Sequence, residues 1–259
     1  QRTKRPPQPK IDVPFDLLTT STIVPASGDI DAIKRKIETT LKNFGIEVTM
    51  GEVNVGPTVA QYTLKPTEGV KLNQITALQN DLALALAAHP IRIEAPIPGK
   101  ALVGIEVPNQ TKSIVKLKEV LQSQVYANRR TNLMVALGKD VSGKVMMADL
   151  GKMPHLLIAG ATGSGKSVCI NSMLISLLYQ NSPDLLKIIL IDPKRVELTA
   201  YDSIPHLLAP VIIDIEKTIN ALRWTVQQMD ERYKLLSASG KKNIEAFNEA
   251  RLVEKLPYL

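Results

Sequence analysis

Cysteine, histidine and aromatic residues are scarce in this chain of 259 residues. It has one Cys, three His, one Trp, three Phe and six Tyr. A lone Cys169 forms no intramolecular disulfide and builds no cysteine-rich zinc site, which suits a reducing compartment. His89, His155 and His206 are too few and too scattered for a metal cage. No base-reading or aromatic stacking motif is visible either. Long apolar runs are missing as well. Nothing approaches the roughly 18 residues of a membrane span, and no charged-then-apolar start resembles a signal peptide. As given, the chain is expected to be soluble and cytoplasmic.

What is there is ordinary globular composition, 44% hydrophobic and 22% charged, with a net charge of +7. That balance is compatible with a polyanionic partner but says little by itself. Part of the excess lies in "QRTKRPPQPK", where Arg2, Lys4, Arg5 and Lys10 alternate with prolines. Residues 1–26 read as a basic, proline-rich linker.

Residues 27–130 read as an α+β domain. Ile30, Ile33, Ile37, Leu41 and Phe44 mark one helix face, which Asp29 can cap and Gly45 can end. "IEVTMGEVNV" and "TVAQYTL" alternate as two strands around a Gly56-Pro57 turn. Leu72, Ile75, Leu78, Leu82 and Leu86 restore helical spacing, and "IRIEA" and "ALVGIEV" are two further strands. A short helix at 113–122 and the polar "ANRRTN" make the expected joint. Nothing in the module looks catalytic, and its charges are expected on solvated faces.

From residue 131 the pattern changes. "HLLIA", a loop, the apolar "SVCINSMLISLLY", the strand-like "LLKIILIDPK" and a long helix from about 215 to 237 suggest an α/β fold with a parallel sheet. Two stretches there fit a glycine, four free positions and Gly-Lys: "GKDVSGKV" from Gly138 and "GATGSGKS" from Gly160. A phosphate loop must turn its N–H groups inward, run straight into a helix and end in a hydroxyl that binds Mg²⁺. The first copy ends in Val145 and continues without a helix start, so Ser142-Gly143 is simply a hairpin turn. In the second copy Gly160, Ala161, Thr162, Gly163, Ser164, Gly165, Lys166 and Ser167 meet all three conditions. The amides of Thr162 to Lys166 are expected to cradle phosphates, Lys166 to reach the β/γ-phosphates and Ser167 to ligate Mg²⁺ of a bound ATP. Cys169, one turn into that helix, reads as a small core residue. Asp192, ending "KIILID", is what a bare pattern would take as the metal-site acid. Pro193 follows it at once and no Asp-Glu pair is present.

"PHLLIAGATGSGKSVCINSMLISLLY", "IDPKRVELTAYDSIPHLLAPVIID" and "ALRWTVQQMDERYKLLSASGKKNIEAFNE" resemble the motor region of the FtsK/SpoIIIE DNA translocases. "IPGK" and "VGIEVPN" are similar to that family's smaller α domain. The resemblance implies a RecA-like P-loop ATPase domain over residues 131–259, working on double-stranded DNA in chromosome segregation. It also implies a homo-hexameric ring and a membrane anchor outside this chain. It places the Walker B acids after a segment like "LPYL", beyond Leu259, so the parallel-sheet domain looks cut short and Asp192 reads as structural. Two other readings stay open: a secretion-type ATPase moving protein, and an ATP-binding assembly domain that does not hydrolyse.

Overall fold

The computed structural model describes residues 13–20, 23–153, 155–250 and 255–259. The basic stretch of residues 1–12 lies outside the described residues. The chain forms two compact units, Phe15–Leu156 and Leu157–Leu259, the latter joined by Pro14, whose carbonyl accepts from the Tyr179 hydroxyl at 3.2 Å.

In the first unit α1 spans Ile30–Asn43, and its start is set by Asp29, whose Oδ1 accepts the Ala32 N–H at 2.9 Å. That bond satisfies one of the first-turn donors that a helix leaves unpaired. The inward face is the expected one: Ile37 and Leu41 are fully buried, although Phe44, at the helix end, is half exposed. Strands β1 (Val48–Val55) and β2 (Val59–Pro66) form the expected hairpin, closed by the Gly56 N–H on the Val59 carbonyl. The apolar run from Leu72 divides into α2 (Leu72–Ala77) and α3 (Gln79–Leu86), meeting at Leu78. With β3 (Arg92–Glu94) and β4 (Val103–Pro108) the strands build one antiparallel sheet in the order β1-β2-β4-β3.

Alternation along these strands decides the two faces. Ala60, Tyr62 and Leu64 of β2 and Val103, Ile105 and Val107 of β4 point into a core shared with Ile37, Leu41, Ile75 and Leu82. Gln61, Thr63 and Glu106 occupy the opposite face and are buried too. The expectation that every charge of the module is solvated therefore fails at Glu106. Its carboxyl is held above the usual range by burial, against the attraction of Arg92, 3.9 Å away. Register explains it: Glu106 lies opposite Gln61 and Arg92 in the middle of the sheet.

The unit continues through α4 (Leu117–Leu121) and α5 (Gln124–Ala127) and, past residue 130, a hairpin of β5 (Met134–Lys139) and β6 (Val145–Asp149). Lys139 reaches back to Glu119 at 2.7 Å.

The second unit contains α6 (Lys166–Leu178), α7 (Ile215–Ala238) and α8 (Ile244–Glu249). Its sheet differs from the expectation. The named strands of the described residues are all antiparallel and lie in the first unit. Among the described residues parallel pairing occurs only as isolated bridges, Leu186 to Tyr258, Ile188 to Leu207 and Ile191 to Ile212. These set residues 185–192 between 206–212 on one side and Tyr258 on the other. "HLLIA" forms no strand; Leu157 is 89% exposed. A parallel strand is stable only when neighbours pair with it and layers cover it. Among the described residues no chain segment pairs with 156–160.

Candidate nucleotide-binding site

The two look-alike loops part company in space. "GKDVSGKV" is a β-turn: Asp140 Oδ1 accepts the N–H groups of Ser142 and Lys144, each at 2.9 Å, and the Ser142 hydroxyl at 2.7 Å. These bonds hold the Asp140 carboxyl below its usual range, against a burial effect of opposite sign. Gly143 turns with φ +82°, and a Cβ on Gly56 would run into the Val141 carbonyl, so the turn rests on the β1–β2 hairpin. Strand β6, not a helix, continues directly from it.

"GATGSGKS" leads into α6 directly. Gly163 (φ +78°) and Gly165 (φ +93°) adopt the left-handed conformation that turns the chain back on itself, and Gly165 is the helix N-cap. A Cβ on Gly160 would meet the Ser164 hydroxyl, so glycine there keeps the loop tight. The Lys166 ammonium lies across the loop, donating to the Gly160 carbonyl at 2.7 Å and the Ala161 carbonyl at 3.0 Å. Residues 159–165 are exposed, Lys166 and Ser167 partly buried.

This arrangement fits a phosphate. First-turn N–H groups of a 13-residue helix have no intrahelical acceptor and sit at the positive end of its dipole. The lysine supplies a mobile full charge beside them, and Ser167 supplies the hydroxyl a hard cation such as Mg²⁺ accepts. The structure brings together every residue of the loop that the sequence points to.

It does not bring Asp192 into the same role. Asp192 is buried, and its Oδ2 accepts the N–H groups of Val196, Glu197 and Leu198 at 3.0, 2.9 and 3.0 Å. The Leu198 bond contributes most to holding its carboxyl below the usual range, with burial opposing. The carboxylate folds residues 193–198 around itself, as the structural reading expects.

Two residues were not visible in the sequence. Asn171, one turn past Ser167, donates from Nδ2 to the Ser167 carbonyl at 2.8 Å; its Oδ1 accepts the Tyr201 hydroxyl at 2.5 Å. Burial raises the Tyr201 phenol above its usual range. Asn at i+4 from the P-loop serine is a faint local signal, and nothing in the spacing announces Tyr201. Cys169 is only partly buried, less than a core residue would be.

Residues 116–255 match the FtsK/SpoIIIE family and residues 14–109 match the FtsK alpha domain. The chain belongs to the FtsK/SpoIIIE family. It is 53% identical over 222 residues to the DNA translocase FtsK of Caldanaerobacter subterraneus, covering 86% of this chain and 31% of that protein. It is 49% identical over 234 residues to SftA and 50% identical over 215 residues to SpoIIIE, both DNA translocases of Bacillus subtilis. These cover 89% and 83% of this chain, and 25% and 28% of those proteins. The chain thus spans about three tenths of the length of such family members. Among solved structures, the pCW3 conjugation coupling protein TcpA matches at 22% identity and a TM-score of 0.47, over 88% of this chain and 63% of that one. Among the described residues no helix is long and apolar enough to cross a membrane.

Proposed function

We propose that this chain is the α-type and nucleotide-binding part of an ATP-driven motor that moves double-stranded DNA during chromosome segregation. The observation that carries the reading is a P-loop closed around Lys166 at the start of α6, in a chain about half identical to curated DNA translocases. The α+β domain of residues 27–130 and the ATPase portion of residues 131–259 are its proposed functional divisions. Hairpin β5–β6 is the piece of the latter that is built into the first compact unit.

Gly160, Ala161, Thr162, Gly163, Ser164, Gly165, Lys166 and Ser167 bind the triphosphate. Their amides and the helix dipole stabilise its charge, and Lys166 exchanges the Gly160 and Ala161 carbonyls for phosphate oxygens. Ser167 holds Mg²⁺, which supplies charge neutralisation for phosphoryl transfer. Asp192 takes a structural task instead, one of its oxygens gathering three N–H groups of the following loop. A DNA partner is supported by relatives that are DNA translocases, and the homo-hexameric assembly, the double-stranded form of the DNA and a membrane anchor outside these residues are proposed with it from the family resemblance.

The test compares lysines. Lys166→Ala abolishes Mg-ATP binding and Lys144→Ala leaves it intact, read by titration of a fluorescent ATP analogue; equal loss in both would overturn the site. DNA affinity falls steeply with added salt, since phosphate contacts release counterions. Stimulation of turnover by unfolded protein instead of DNA would favour a protein-moving ATPase.

A further inference from the structure

We infer that Asn171 and Tyr201 are positioning residues for the Mg²⁺-binding turn of the P-loop, tying Ser167 to the loop that Asp192 organises. The inference rests on the nucleotide-binding reading above and adds to it how the serine is held. Three observations lead to it.

The first is that the Asn171 amide is used at both ends. Nδ2 donates to the Ser167 carbonyl and Oδ1 accepts from Tyr201, so the side chain has one orientation that serves both partners. A lone asparagine bonding back four residues along a helix is a local habit. Here the far end is fixed by a phenol thirty residues away in sequence, in the short turn Thr199–Tyr201.

The second is the placement of Tyr201. It ends the short turn that follows directly on the three residues whose N–H groups the Asp192 carboxylate gathers, so its backbone is set by a charge-assisted cluster rather than by a free loop. The turn is closed again by the Tyr201 N–H on the Leu198 carbonyl at 3.0 Å. Asp192 itself is anchored to the parallel bridges, its N–H donating to the Ile212 carbonyl at 2.8 Å.

The third is the position of Ser167 itself. As the second residue of α6 its own N–H has no intrahelical acceptor, and the Asn171 side chain adds a second donor to its carbonyl beside the helix ladder, tethering the first turn from outside the helix. A continuous path runs from residue 192 through the 196–198 amides, Tyr201 and Asn171 to Ser167. In metal sites, groups that orient the ligating residue typically change metal affinity about 10–100-fold when removed. A hydrogen bond acting on the backbone carbonyl of the ligating residue, not on its hydroxyl, belongs at or below the lower end of that range.

The prediction concerns the metal-dependent part of nucleotide affinity. A fluorescent ATP analogue is titrated to millimolar concentration, with Mg²⁺ and with EDTA, against the unmodified protein, Tyr201→Phe, Asn171→Ala and the double variant. The unmodified protein gains affinity from Mg²⁺. Each single variant loses about 3–10-fold of that gain while its EDTA affinity stays within about twofold. The double variant loses no more than either single one, because the two residues act as one connection. On a Ser167→Ala background Tyr201→Phe has no further effect on the Mg²⁺ gain. Hydrogen exchange without nucleotide supplies the independent reading: Tyr201→Phe accelerates exchange in the turn after Ser167, whether or not the analogue binds.

The failures are distinguishable. If the unmodified protein binds no analogue, the P-loop reading falls and this role for Ser167 falls with it, even where the exchange result shows the connection to be structural. If it binds with an Mg²⁺ gain and the variants match it, the positioning role is wrong while the site stands. If the variants lose affinity equally with Mg²⁺ and with EDTA, the residues only support the fold, and the inference is overturned.

Discussion

The two compact units spend similar apolar content differently. In the unit of residues 15–156, antiparallel strands pair continuously into a four-stranded sheet, and α1 and α3 close one face of it over a core that includes Tyr62, Leu64 and Ile105, all fully buried. Among the described residues of 157–259, strand pairing is parallel and confined to bridges, and none of the α7 side chains is buried. Ile215, Ile219, Leu222, Val226, Met229 and Tyr233 recur there at alternating spacings of four and three, each between 44% and 74% exposed. Antiparallel hairpins close a core from local connections, whereas a parallel sheet needs crossovers and a cover on both faces. The same hydrophobicity therefore yields a finished core in one unit and an exposed apolar stripe in the other.

The comparison breaks most readily in the core. Ile105→Ala is expected to destabilise the first unit by about 2–5 kcal/mol, through lost burial and the cavity left behind. Urea unfolding followed by exchange at the β2–β4 amides measures it. A cost below about 1 kcal/mol would mean that this core is looser than its burial indicates.

Gly56→Ala comes next, because the new Cβ meets the backbone carbonyl of Val141 rather than a side chain that can rotate away. Overpacking of this kind costs about 1–3 kcal/mol. The loss should be reported by faster exchange in β5 and β6, with exchange in α6 unchanged.

A smaller, pH-dependent effect separates the units. His206 is buried, its Nε2 lies 2.9 Å from the Asn181 carbonyl, and its Nδ1 has no partner among the described residues. Burial lowers its pKa below the ordinary histidine range, with the Asn181 bond opposing and nearby Lys187 adding to the shift. The unfolded chain then binds the proton first, so the second unit loses stability as pH falls through the histidine range toward the depressed value. His206→Gln flattens that dependence in pH-resolved exchange. Glu106 works in the opposite sense in the first unit: its raised pKa makes the folded state bind the proton more tightly, and stability there declines as pH rises through the carboxylate range.

The smallest effect is expected on α7. Leu222→Ala removes a side chain that is 56% exposed, and changes stability by less than about 0.5 kcal/mol. A loss as large as that of Ile105→Ala would show that the stripe is covered in solution, and the contrast between the units would narrow.

Much of the first unit was legible because its signals are local. Asp29 before an apolar stripe became a capped helix, and alternation around Gly56-Pro57 became a hairpin. Glu106 was missed because strand alternation says which side a residue points to, not whether the far side is covered. In the second unit the helices α6 and α7 were legible, while the strand at "HLLIA" was not realised. An apolar run states only that burial is favourable; it does not supply the partner.

The amino-acid sequence by itself determined the conformation of the glycine-rich loop 160–167 that opens α6. Glycine where φ is positive, lysine and serine at the helix start, and apolar residues after them are local requirements that few other structures satisfy. It also separated that loop from its look-alike, since Val145 lacks a hydroxyl and no helix pattern follows. Tertiary structure alone decided what holds the loop in place. The Asp192 carboxylate meets amides from residues that a strand-to-loop reversal brings back to it, and Tyr201 meets Asn171 across thirty residues. Such contacts depend on where the backbone returns in space, and no periodicity in the chain encodes that distance.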